Sequence, residues 1–239
     1  MTTTYTPKDL STSTGSTDGR WPRLLALGAV AGPVLFTAAW IVLGAVSPGY
    51  TIFGTWISPY SPITQPISGL GLGVTGPYMN AAFMISGMLL LAGVIGVVLS
   101  LPPGGRRVTR IASALLLVLP SVGLIIIALF TLERPAMHLL GAMLILATPV
   151  ISFLITGLHL RAVPGWRRFG NGLVVAAPLT LVLFVLYTLS FNQSAVAAGQ
   201  GVAGLTQRLL FVEILSWFVA MGWLACRRSS SSTTRASHS

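Results

Sequence analysis

The stretch "GLTQRLLFVEILSWF", residues 204–218, decides the fold. It is mostly apolar and stays apolar to Cys226. At 1.5 Å per residue such a run crosses a hydrocarbon core roughly 30 Å thick. Yet it holds Arg208 and Glu213, in a chain with only 14 Lys or Arg and 4 Asp or Glu among 239 residues. A soluble domain devotes roughly a quarter of its residues to charge. Here the charged share is 8% and the hydrophobic share 54%, so the chain cannot cover a surface that faces water. The composition predicts an integral membrane protein.

Five more apolar segments are long enough to span. The expected spans are 23–46, 78–101, 111–132, 136–160, 169–191 and 205–226, an all-α, polytopic transmembrane bundle of six helices. The apolar run of the first, Leu24 to Val46, exceeds the 7–15 residues usual in a signal peptide and predicts an uncleaved anchor. Residues 1–21 and 227–239 are polar and largely Ser- and Thr-rich, and are expected to be disordered cytoplasmic tails around a transmembrane domain at 22–226. Pro33, Pro120, Pro149 and Pro178 fall inside spans and are expected to mark kinks. The GxxxG spacing in "GAVAG", 28–32, predicts close helix packing and nothing more.

The net charge of +10 does not signal nucleic-acid binding, because the basic residues sit in short clusters between apolar runs. Lys8, Arg20 and Arg23 precede the first span. Arg106, Arg107 and Arg110 lie between the second and third, Arg161, Arg167 and Arg168 between the fourth and fifth. Arg227, Arg228 and Arg235 follow the last. Only Arg134 and Arg208 fall on the other side. The positive-inside rule then puts both termini in the cytoplasm.

On that orientation residues 47–76, "SPGYTIFGTWISPYSPITQPISGLGLGVTG", form an extracytoplasmic loop of thirty residues without one charge. Tyr50, Phe53, Trp56 and Tyr60 suit a membrane interface. Pro48, Pro59, Pro62 and Pro66 deny the loop a long helix. It reads as a folded segment on the helix ends, either a lid or plain packing.

Polar residues collect in the outer halves of the spans: Asn80, then Thr131, Glu133 and Arg134, His138, Thr188 to Gln193, and Thr206, Gln207, Arg208 and Glu213. An ionisable group at the depth of Glu213 calls for a partner, water or a proton. Arg208 is five residues away and about 140° around the helix, a poor partner. Arg134 and His138 are the better candidates. Thr206, Glu213 and Ser216 share a face expected to look into the bundle. A polar knot that fixes helix registry explains the same residues, and snorkelling explains Arg134 and Arg208.

No cofactor or metal is expected. His138 and His159 are ~31 Å apart along one helix and cannot share a haem. Cys226 is the sole cysteine, so there is no intrachain disulfide or cysteine cluster. No HExxH, GxSxG or Walker A pattern occurs.

Two segments carry a family likeness. "SPYSPITQPISGLGLGVTGPYMNAAFMISGMLL", 58–90, resembles the loop-and-helix signature of the domain-of-unknown-function 998 membrane proteins. "GLTQRLLFVEILSW", 204–217, is similar to that family's Gly-Leu-x-Gln-Arg opening of the final helix. The resemblance implies a six-span protein over roughly 22–226. It points to Ser68, Leu70, Gly71, Asn80, Gly87, Gly204, Gln207 and Arg208. Gly69 stands where the family often has an acidic or polar residue. "FTLERPAMH" departs from its Phe-Pro-x-Asp pattern, with Thr131 in place of Pro and Glu133 nearby.

Three functions are weighed. In the first, a lipid or small amphiphile enters under the aromatic loop and meets an outer polar pocket. Glu213, Arg208, His138, Arg134, Glu133, Asn80, Gln207 and Ser68 are its candidate residues, with Arg208 on an anionic headgroup. In the second, the protein is a structural or accessory component acting through partners. In the third, His138 with Glu133 or Glu213 supplies acid and base for lipid modification.

Overall fold

The computed structural model describes residues 20–236, with side chains from 21 to 227. Residues 1–19 and 237–239, and with them most of the expected N-terminal tail, lie outside the described residues. Among the described residues six helices or helix pairs are long and apolar enough to cross a membrane: 21–46, 73–100, 107–129, 135–160, 167–190 and 203–227. They match the expected spans to within a few residues, because runs this long need no context to be read.

The first span is α1 (Arg20–Ala26) and α2 (Gly28–Val46), and the second is α3 (Gly76–Ser100). A Cβ on Gly28 or Gly93 would overlap backbone atoms of the facing helix, so the GxxxG segment does pack closely, against α3. The third span is α4 (Arg107–Leu129). The fourth is split into α5 (Pro135–Leu146) and α6 (Thr148–Leu160). The fifth is α7 (Arg167–Ser190), followed by a short α8 (Gln193–Ala197). The sixth, α9 (Ala203–Ala236), carries its helical backbone past the span.

Of the four prolines expected to mark kinks, only Pro149 coincides with a helix break. Helices α2, α4 and α7 continue through Pro33, Pro120 and Pro178. Pro149 has no N–H for the carbonyl one turn back, and α6 begins there. Beyond the break the fourth span gains a neighbour. In α5, Gly141 meets Gly123 of α4, and a Cβ on Gly123 would lie 2.6 Å from the Gly141 carbonyl oxygen. In α6, Gly157 meets Gly170 of α7, and a Cβ on Gly170 would lie 2.7 Å from the Gly157 oxygen. Both halves of the span lie on α4, and beyond the break α6 packs on α7 as well. Where α5 follows α4, it stands off α7.

The loop after α2 adds a small sheet to the helices. Strand β1 (Tyr50–Ile52) pairs antiparallel with β2 (Thr55–Ile57), Tyr50 opposite Ile57. The two-residue turn, Phe53 and Gly54, has φ of 47° and 80°. Positive φ at both centres is what a tight hairpin turn requires. Two 3-10 turns, Ile67–Gly71 and Gly73–Thr75, lead into α3. The loop is part of the core: Tyr50, Ile57, Tyr60, Ile67 and Leu70 are buried with Phe36, Phe83, Phe211 and Phe218 of the spans.

Candidate functional site

The first turns of α9 are stitched to the loop. The Leu205 N–H donates to the Ile63 carbonyl at 2.9 Å. Gln207 accepts from the Ile67 N–H at 2.7 Å. Arg208 Nη1 donates to the carbonyls of Pro62 (2.7 Å), Gln65 (3.0 Å) and Gly204 (2.9 Å). Its Nη2 donates to the Tyr60 phenol oxygen. The guanidinium also lies 5.2 Å from the Trp40 ring centroid and 5.8 Å from that of Tyr60, a cation–π arrangement. Gly204 makes this approach possible, since any Cβ there would overlap the Gln65 carbonyl oxygen. The "GLTQR" pattern is therefore a clamp on residues 60–67.

The clamp roofs a cavity of about 640 Å³ at the hairpin end of the bundle. Both strands, the Ile67–Gly71 turn, α5, the end of α7, α8 and α9 contribute to its wall. Its volume is in the range of small-molecule sites. The gap left where α5 stands off α7 forms one side. Leu139 and Phe191, both largely exposed, line it there. Ser68, His138, Tyr187 and Gln207 supply polar groups near the hairpin. Phe83, Ile127, Ile145 and Phe211 are apolar wall residues. Ile145 lies seven residues beyond His138, about 10 Å deeper along the span.

The candidate residues divide into separate places. Ser68, His138 and Gln207 line the cavity. His138 is 8% exposed, with Nδ1 2.9 Å from the Phe130 carbonyl oxygen. A carbonyl only accepts, so Nδ1 carries the proton. Gln207 Nε2 also donates to Tyr187 Oη at 3.3 Å. Asn80 does not line the cavity; its Nδ2 donates to the Gly71 carbonyl at 3.1 Å and ties the loop to α3. Glu133 and Arg134 are exposed beside α5.

Two expectations are corrected. Arg208 is buried but faces the loop, away from the cavity. Glu213 does not meet Arg134 or His138. It accepts from Thr180 Oγ1 at 2.9 Å and from Trp217 Nε1 at 3.0 Å, between α7 and α9. The face expected to look inward is turned out: Ser216 is exposed, and Thr206 and Glu213 are half-buried. The reason is packing volume. Leu210, Phe211, Ile214 and Phe218 hold the core side of α9.

Sequence reasoning missed Tyr187, Thr180, Trp217 and Trp40. Tyr187 and Trp40 look like ordinary span aromatics, and only the fold shows that the first closes on Gln207 and the second on Arg208. The sequence suits Tyr50 and Tyr60 to a membrane interface, yet both are buried. Burial pushes the Tyr50 phenol up to about 12. Burial also raises Tyr60, partly offset by the charge and hydrogen bond of Arg208. The ring of Tyr50 explains Gly69, where a Cβ would lie 2.7–2.8 Å from it. Among the described residues no group of three or more His, Cys, Asp or Glu is placed to hold a metal ion.

The clamp joins the two segments that carried the family likeness. A match to the family described as "Protein of unknown function (DUF998)" covers residues 30–224. The chain belongs to this family. No curated protein and no solved structure matches it. As a DUF998 protein with six membrane-length helices, it is a multi-pass membrane protein.

Proposed function

We propose that this DUF998 protein binds an amphiphile drawn from the bilayer, in the cavity beneath the hairpin. The cavity itself carries the reading. It has polar groups near the helix ends, apolar residues deeper, and a side formed where α5 and α7 part. The arginine clusters support an orientation with both termini in the cytoplasm, which sets the cavity in the outer leaflet. Arg208 and Asn80 serve it indirectly, by holding the roof.

Ala142 of α5 lines the cavity, and Ala142→Trp would fill part of it. The test is native mass spectrometry of gently purified wild type and Ala142→Trp, with lipid analysis of what copurifies. A specific amphiphile kept by the wild type and lost by the folded variant supports the proposal. Identical bulk lipid on both contradicts it.

The structural or accessory reading has one observation in its favour. Arg208 and Glu213 both bond to groups of this chain, as registry-fixing polar contacts would. Stability loss on breaking them, with no ligand retained by the wild type, favours that second reading. The acid–base reading finds less support, since neither Glu133 nor Glu213 lines the cavity with His138.

A further inference from the structure

Building on the proposed amphiphile site, we infer that its ligand is a neutral lipid alcohol whose hydroxyl donates to Nε2 of His138. Three observations lead there. First, no Asp, Glu, Lys or Arg lines the cavity among the described residues. A formally charged head in that wall would lie in low dielectric without a counter-charge, which is costly. Of the two cations adjacent in sequence to wall residues, Arg208 is taken up by the Pro62, Gln65 and Gly204 carbonyls and by Tyr60, and Arg134, beside Pro135, is exposed and outside the wall.

Second, the His138 tautomer is fixed. Its Nδ1–H donates to Phe130, so Nε2 of the neutral ring is an acceptor. Nε2 has no hydrogen-bond partner among the described residues, although the side chain is more than nine-tenths buried and lines the cavity. Nε2 is not sealed off by protein, so its partner comes from whatever fills the cavity. A ligand O–H supplies the missing donor.

Third, polarity is graded along the helices. His138, Tyr187 and Gln207 each lie within about a turn or so of a helix end near the hairpin, while Ile145 and Phe211 lie deeper. A molecule with a small hydroxyl head and one apolar body fits that gradient. Its body lies against Ile145 and Phe211, and the opening at Leu139 and Phe191, where α5 and α7 part, is the way in from the bilayer. Tyr187 Oη already accepts from Gln207, so its own O–H is available to a ligand oxygen.

The test is photolabelling of the full-length protein in lipid nanodiscs. Three diazirine probes share one long alkyl chain: a primary alcohol, its methyl ether and its sulfate ester. The ether keeps the oxygen but loses the donor, and the sulfate is permanently anionic. The expected result is labelling of α5, α7 and α9 cavity residues by the alcohol about tenfold above either analogue, the size of one buried hydrogen bond. His138→Phe should erase the alcohol-over-ether preference, and His138→Gln, which keeps an acceptor, should retain much of it. Should His138→Phe fail to fold, the wild-type comparison of alcohol and ether decides alone.

Equal labelling by alcohol and ether, or strongest labelling by the sulfate, overturns the inference about the head group and leaves the cavity as an amphiphile site. If no probe reaches the cavity residues, or Ala142→Trp labels as the wild type does, the proposed function fails and the inference with it.

Discussion

Arg208, on the last span, donates a hydrogen bond to the phenol of Tyr60, 148 residues earlier in the chain. Around that contact the loop and the final helix are built as one unit. Backbone carbonyls of Pro62 and Gln65 end on the same guanidinium, and Gln207 holds the Ile67 N–H. A loop so held is a fixed roof over whatever lies below it.

Arg208→Ala removes the donor to both carbonyls. A buried acceptor left unmade costs about 1–3 kcal/mol, so a loss of roughly 2–6 kcal/mol is expected for the pair. Arg208→Lys should recover only part, because an ammonium lacks the planar fork that serves several acceptors together. Thermal unfolding in detergent, with protease sensitivity of residues 58–67, measures both. An Arg208→Ala protein as stable and as protease-resistant as the wild type contradicts the clamp.

Gly204→Ala should resemble Arg208→Ala without touching a charge. Its Cβ would overlap the Gln65 oxygen and lie 2.6 Å from that of Pro62. Forced overlap of this kind costs typically about 1–3 kcal/mol. The same melting and proteolysis experiment reads it, and an unchanged loop would show that the close approach is dispensable.

The Tyr50 phenol gives a pH signature. Its folded value, about 12, exceeds the ordinary value of about 10. The folded state therefore holds this proton more tightly than the unfolded state. Its stabilising contribution is complete below pH ~10 and is lost as pH rises from there through about 12. Phenolate absorbance should show one tyrosine fewer titrating near pH 10 in the folded protein than in the denatured one for this residue. Tyr50→Phe should leave the ordinary tyrosine titration unchanged. If that variant instead loses a titration near pH 10, Tyr50 is not buried.

Glu213→Gln keeps an acceptor for Trp217 and a partner for Thr180, so its expected stability loss is small, below about 1 kcal/mol. Glu213→Leu removes both bonds and should cost more, with a change in tryptophan fluorescence from Trp217. Neither change should alter which amphiphile copurifies, since Glu213 lies outside the cavity wall. Loss of a bound amphiphile in a stable Glu213→Gln protein would contradict this placement of the site.

The spans were legible because about twenty apolar residues in a row have one common fate. The loop was legible in part: its prolines and missing charges said folded, but its aromatics said interfacial, and Tyr50 and Tyr60 are buried. Its hairpin was not, because three-residue strands leave too short an alternation to read. The candidate site was legible only in part. His138, Gln207 and Ser68 reach one cavity, but Glu213 drew attention by its charge and turned out to bond sideways to Thr180 and Trp217. What decides the site is that α7 packs on α6 and stands off α5. That depends on which glycines face each other across helices, Gly141 with Gly123 and Gly157 with Gly170, and pairing between distant segments leaves no local pattern.

The central claim is that the space between the hairpin, α5, α7 and α9 is a ligand site open toward the bilayer. A cryo-electron microscopy map of the protein in nanodiscs of its native lipid tests it most directly. The account predicts elongated density in that space, with its head near His138 and its body running toward Ile145 and Phe211. A map in which α5 packs against α7 and side chains close the space would contradict it.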